Sequence, residues 1–245
     1  MVTINFADYG HPEWGTIELV GESPEVRKGG DGKLLFLFGE THKELWSIGP
    51  NAINCVKLAD NGIVGLVALE FNPKDSLTGQ MYKRTHDLPA DVNTIMAKLI
   101  ETRGEPLFGT TVGQLITIPV RVVEDMDLWD QTGEEDLRVK SKYIEAKAAE
   151  LFRKLMLERP TEKAIVLDAD ARKAAEADEE TLKKYRDEFG NLPIHTKRDE
   201  AMVKTLLSLW QHNRAAVINA GNKHIPRIIQ HLPSNVQYVW VAQCG

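Results

Sequence analysis

Three stretches of almost unbroken apolar residues constrain this chain more than any other feature: Leu34–Phe38, Ile63–Leu69 and Ala215–Ala220. None shows the in–out alternation of a strand with one wet face, so each reads as a strand covered on both sides. That burial is typical of a parallel sheet with a helix layer on each face. The stretches are far shorter than the ~20 residues a membrane-crossing helix requires. Strand-like and helix-like segments alternate along the chain, so the expected fold is α/β, with a parallel-rich central sheet flanked by helices.

The remaining segments fill in that frame. Thr16–Val20 alternates like a half-buried strand, and Gly29-Gly30-Asp31-Gly32 reads as a turn into the first apolar stretch. Between about Lys43 and Asn61, the spacing of Leu45, Ile48, Ile53, Val56 and Leu58 is helical, interrupted at Gly49-Pro50. Ala90–Thr102 reads as a helix capped by Asp91, and the β-branched segment Leu115–Val123 as another strand. Glu134–Arg159 and Glu162–Phe189 are rich in helix formers, with Pro160 between them and Gly190 as a C-cap. A helix capped by Thr196 runs to about Asn213, and Val236–Ala242 is a final strand. No low-complexity linker divides the chain. The expectation is a single domain over residues 1–245, with a charged helical insertion or cap at 130–190 whose charges are solvated faces.

Composition narrows the function classes. The chain has 245 residues, 42% hydrophobic and 27% charged, ordinary for a globular protein. A formal charge of −6 argues against nucleic acid as the main partner. The two cysteines, Cys55 and Cys244, make neither a metal-type spacing nor a disulfide framework, which fits a reducing compartment. The N-terminus lacks the signal-peptide pattern. The expected protein is cytoplasmic, without a membrane span, and acts on a small molecule or a peptide.

Two of the apolar stretches end alike. Leu34–Phe38 is followed by Gly39-Glu40-Thr41-His42, and Ala215–Ala220 by Gly221-Asn222-Lys223-His224. In open α/β sheets, ligands bind at the carboxyl ends of the strands, and a histidine there is an acid, base or metal ligand near neutral pH. Glu70 closes the third stretch, so it is expected to be partly buried and in need of a partner. Asp125 and Asp127 follow Leu115–Val123 in the same way. Arg198-Asp199 opens a helix. Either Asp199 serves the helix dipole beside a surface arginine, or Arg198 faces inward and holds a carboxylate or oxyanion. The chain contains no Gly-x-Ser-x-Gly, Walker, Gly-x-Gly-x-x-Gly or His-Glu-x-x-His motif. Hydrolysis at such a site would proceed by activating water.

Gly39-Glu40-Thr41-His42, Glu70, Arg198-Asp199-x-x-Met202 and Gly221-Asn222-Lys223-His224, in this order, resemble the superfamily that joins Tiki/TraB-like proteins, ChaN-like haem-binding proteins and erythromycin-esterase-like hydrolases. The resemblance implies that Glu40, His42, Glu70, Arg198 and His224 converge at the strand ends. Its members include metal-dependent peptidases, esterases that need no metal, and haem binders. The leading expectation is a hydrolase of an ester or amide bond. His42 is its general base or a metal ligand oriented by Glu70, and His224 is a second base or ligand. Arg198 steadies the oxyanion, and Glu40 is a further carboxylate. If His42, His224, Glu40 and Glu70 hold a metal, that set suits Mn²⁺, Co²⁺ or Zn²⁺. The alternatives are a protein that binds haem or another planar ligand at the same site, and a non-enzymatic partner whose charged helices form the interaction surface.

Overall fold

In a computed structural model, residues 1–30, 32–41, 45–70, 116, 118–210 and 214–243 are described. The apolar stretches form the middle of a six-stranded sheet. Its strands are β3 (Glu22–Arg27), β4 (Leu34–Glu40), β5 (Val64–Leu69), β6 (Val120–Val122), β7 (Ala215–Gly221) and β8 (Gln237–Ala242). Their order across the sheet is β3-β8-β4-β7-β5-β6. Every neighbouring pair is parallel except β3 and β8, which pair antiparallel at one edge. The fold is α/β, and its central strands are buried throughout, as continuous apolar sequence requires. Strands β1 (Val2–Asn5) and β2 (Thr16–Leu19) form a separate antiparallel hairpin, with Ile17 and Leu19 turned inward.

Successive side chains of β4 enter different cores. Leu34, Phe36 and Phe38 join a cluster with helix α1 (Leu45–Asp60) and the β1–β2 hairpin. Leu35 and Leu37 join a second cluster with the C-terminal part of α6 (Pro193–Leu209) and with α7 (Ile225–His231). Helix α1 packs with both sheet and hairpin, so most of its described side chains are buried. It runs without a break through Pro50, although the sequence predicts an interruption there. The proline removes one helical hydrogen bond, while the burial of Ile48, Ala52, Ile53, Val56 and Leu58 keeps the helix in place.

The alternation has a topological consequence. β4 feeds α1 on one face of the sheet, and its neighbour β7 feeds α7 on the other. The connections diverge between these strands, and such a switch point opens a crevice at their carboxyl ends.

The chain forms two compact units: an α/β unit of Met1–Glu124 with Asp199–Gly245, and a helical unit of Asp125–Arg198. The sequence reading placed the helical segment at 130–190 within one domain. The helical unit contains α2 (Met126–Lys140), a π turn (Ser141–Glu145), α3 (Ala146–Glu158), α4 (Ala164–Ala177), α5 (Glu179–Gly190) and the first residues of α6. Asp125 caps α2 by accepting the Leu128 N–H at 3.1 Å, and Asp178 caps α5 through the Thr181 N–H at 3.1 Å. Asp178 thus divides what the sequence predicts as one long helical stretch. Ile144, Ala148 and Ala175 form the small centre of this unit. The helix predicted at Ala90–Thr102 and the N-terminal end of the strand predicted at Leu115–Val123 lie outside the described residues. Among the described residues, no helix is long and apolar enough to cross a membrane.

Candidate functional site

The strand register brings the carboxyl ends of β4, β7 and β5 into line. Glu40 pairs with Gly221, and Leu69 with Asn219. Backbone bonds continue just past the strands: the Asn222 N–H donates to the Glu40 carbonyl at 2.9 Å, and the Glu70 N–H to the Asn219 carbonyl at 3.1 Å. Gly39 permits this close approach. A Cβ there would stand 2.2 Å from the Asn222 side-chain oxygen.

His224 lies in the turn between β7 and α7, its N–H donating to the Gly221 carbonyl at 2.8 Å. Its ring is held from both sides. Nδ1 donates to Asp199 of α6, and Nε2 lies 3.2 Å from Glu70 Oε1. The other oxygen of Glu70 accepts the Gly221 N–H at 2.8 Å, and the other oxygen of Asp199 accepts from Arg227 Nε. The side chain of Asp199 is fully buried, and those of Glu70 and His224 are 8% and 11% exposed. The four groups form an Arg–Asp–His–Glu chain in which each carboxylate meets a cation.

Burial alone would lower the His224 pKa. The hydrogen bonds and charges of Asp199 and Glu70 outweigh it and push the value up to about 9. At neutral pH the ring is therefore an imidazolium with a proton on each nitrogen. Among the described residues, no group of His, Cys, Asp and Glu side chains is placed to hold a metal ion.

Glu40 is held on the other side of the switch point. Its Oε2 accepts from Asn219 Nδ2 at 2.6 Å. Asn219 Oδ1 accepts from Asn51 of α1 at 3.2 Å, and Asn51 also donates to the Gly39 carbonyl at 3.0 Å. Asn51 Oδ1 in turn accepts from Gln243, just beyond β8, at 2.9 Å. Asn222 donates to the Thr41 hydroxyl at 3.2 Å, linking the residues that follow the two strands.

Of the residues singled out in the sequence, Glu70 and His224 are in contact, and Glu40 stands on the strand adjacent to Asn219. His42 lies outside the described residues. Arg198 belongs to the helical unit and is 4% exposed, its guanidinium 4.8 Å from the centre of the Trp129 ring. It is not a surface arginine. The helix-dipole reading of Asp199 fails because α6 begins at Pro193, which leaves both Asp199 and the expected cap Thr196 inside the helix. The signal for Asp199 was helical spacing. Met202, Val203 and Leu206, at i+3, i+4 and i+7, are buried, so Asp199 sits on the same inward stripe. Arg227, Asn219 and Asn51 were also missed. Asn219 was visible as the one polar residue of an otherwise apolar strand.

No protein-family model, curated protein or solved structure matches this chain.

Proposed function

We propose that the α/β unit is a hydrolase of ester or amide bonds that works by proton transfer at the switch point between β4 and β7. One observation carries this reading: at the strand ends, the His224 ring is clamped between two nearly buried carboxylates, with a further carboxylate on the neighbouring strand. Structural ion pairs more often lie on surfaces. A buried pair at a crevice with a displaced pKa is what acid–base chemistry uses.

The division of labour follows from the protonation state. His224 holds the proton that a departing alkoxide or amine needs. Asp199 fixes the ring through Nδ1, and the Nε2 proton, resting on Glu70, is the one given up. The attacking water requires a base. Glu40, at the end of β4, and His42, two residues further along the sequence, supply it. Water adds to the carbonyl carbon as its proton passes to this base. The carbonyl–heteroatom bond then breaks as the leaving group takes the His224 proton; the base releases its proton to solvent, and solvent returns one to His224.

The test is turnover of a panel of p-nitrophenyl esters and short peptides, with pH profiles. Activity that needs the imidazolium is high at neutral pH and falls as pH rises through about 9, the His224 value. His224→Gln should lower turnover by roughly 10²–10⁴ and remove that alkaline limb. Wild-type turnover by His224→Gln would overturn the assignment.

A further inference from the structure

The amides behind Glu40 form a chain whose direction is fixed at two points by backbone carbonyls, which only accept. Gln243 Nε2 donates to the Val20 carbonyl at 3.0 Å, so the nitrogen of Gln243 is the end that also meets Asn51 Oδ1. Asn51 Nδ2 donates to the Gly39 carbonyl at 3.0 Å, so its nitrogen is the end that meets Asn219 Oδ1. Asn219 is then left with only donors for Glu40 Oε2, at 2.6 Å. Gln243 donates to Asn51, Asn51 to Asn219, and the last donor, Asn219 Nδ2, meets a carboxylate.

We infer that Asn219, Asn51 and Gln243 are positioning residues that hold the Glu40 carboxylate in place through this one-directional amide chain. The inference rests on the hydrolase reading for its catalytic consequence but not for the chain itself.

Three physical points support it. Asn51 and Asn219 are 0% and 3% exposed, and burying polar amides is unfavourable unless their hydrogen bonds are made. An apolar residue at either position would satisfy packing alone. Amides linked head to tail polarise one another, so the donor facing Glu40 is strengthened by those behind it. Finally, the chain joins the end of β4, the middle of α1, the end of β7 and the residue after β8. It ties Glu40 to elements on three sides, and rigidly held groups keep the geometry that proton transfer needs.

The experiment has two arms. In the first, the side-chain amide signals of ¹⁵N-labelled protein are followed by NMR in Glu40→Gln and in Gln243→Leu. Removing the carboxylate should move the signals of Asn219, Asn51 and Gln243 in decreasing order, and Gln243→Leu should move that of Asn219. If Glu40→Gln leaves Asn51 and Gln243 unmoved, there is no chain. In the second arm, kcat and KM are measured with p-nitrophenyl acetate. Asn219→Leu should lower kcat by about 10²-fold, the scale of a misplaced catalytic group. Gln243→Leu, half-buried and two links away, should lower it several-fold, with KM and the melting midpoint little changed. Wild-type kcat in Gln243→Leu overturns the positioning role even if the variant of the buried Asn219 fails to fold. A wild-type protein that turns over no substrate defeats the hydrolase reading, and the NMR arm still decides whether the chain exists.

Discussion

The two units of this protein treat polar groups in opposite ways. The α/β unit buries Asn51, Asn54, Asp199, Asn219 and Gln237 and gives each a specific partner. Apart from the buried Arg198, the charges of the helical unit are mostly wet. Arg172 bridges Glu145 and Asp168, and Lys142 meets Glu188, with about half of each cation exposed. Ion pairs in water gain little, because solvent screens them and ordering two long side chains opposes them. A buried charge has no such substitute for its partner. The many charges of the helices should therefore matter less to stability than the few under the sheet edge.

The largest expected effect comes from Asp199. Its carboxylate serves both His224 and Arg227, so Asp199→Ala strands two cations at once. Removing one partner of a buried pair typically costs about 3–5 kcal/mol, and the urea midpoint should fall accordingly. Asp199→Asn, which keeps acceptor geometry but not charge, should lie between wild type and alanine. An alanine variant as stable as wild type would erase the contrast between the units.

A pH titration probes the same network without mutation. Folding raises the His224 pKa from 6.5 to about 9, so the folded state binds this proton more tightly than the unfolded chain. The resulting stabilisation is fully present below pH 6.5, is lost as pH rises from there through about 9, and amounts to about 3 kcal/mol. His224→Gln should flatten that part of the stability–pH curve, read from unfolding midpoints between pH 6 and 10. A slope that survives the substitution would move the effect to other groups.

Sequence made the α/β unit legible where burial is uniform. The continuous apolar runs at Leu34–Phe38, Ile63–Leu69 and Ala215–Ala220 require cover on both faces, and that requirement led to the sheet. Glu70 and His224 were visible because a polar residue at the end of such a run stands out. Partner choice was much less visible. The stripe shared with Met202, Val203 and Leu206 points Asp199 inward, but only the start of α6 at Pro193 separates a first-turn carboxylate serving the helix dipole from a buried one. Pro50 shows the converse: the local sequence predicts an interruption at Gly49-Pro50, but tertiary packing carries α1 through it. Asn51 and Gln243 are 192 residues apart, and only strand order makes them neighbours.

Glycine substitutions extend the contrast at a smaller scale. Gly133 lies inside α2, and a Cβ there would meet nothing within 4 Å. Gly133→Ala should stabilise the helical unit by roughly 0.5–1 kcal/mol by removing the entropy of an unneeded glycine. Gly39→Ala at the sheet edge should do the reverse. Its methyl group would displace the Asn222 amide, 2.2 Å away, and break the bond to Thr41. Asn222 is exposed and can swing aside, so the loss should remain small. Opposite signs in the two midpoints are the outcome to look for.

The smallest effect expected is that of Arg172→Ala. The guanidinium donates to Asp168 at 3.0 Å and to Glu145 at 2.6 Å, which makes it one of the best-connected cations of the helical unit. Counting contacts would rank it beside Asp199. Exposure ranks it far lower: Arg172 and both of its carboxylates are half open to water and recover hydration when the pairs break. Amide hydrogen exchange along α3 and α4 is the suitable probe, since it reports locally on the helices that the pairs join. Protection of Ala148 and Ala175, at the centre of the unit, should match wild type, and raising salt should change neither protein. If Arg172→Ala instead exposes those amides, the bridge to Glu145 holds α4 against the π turn. Wet ion pairs would then carry the helical unit as the buried ones carry the sheet edge.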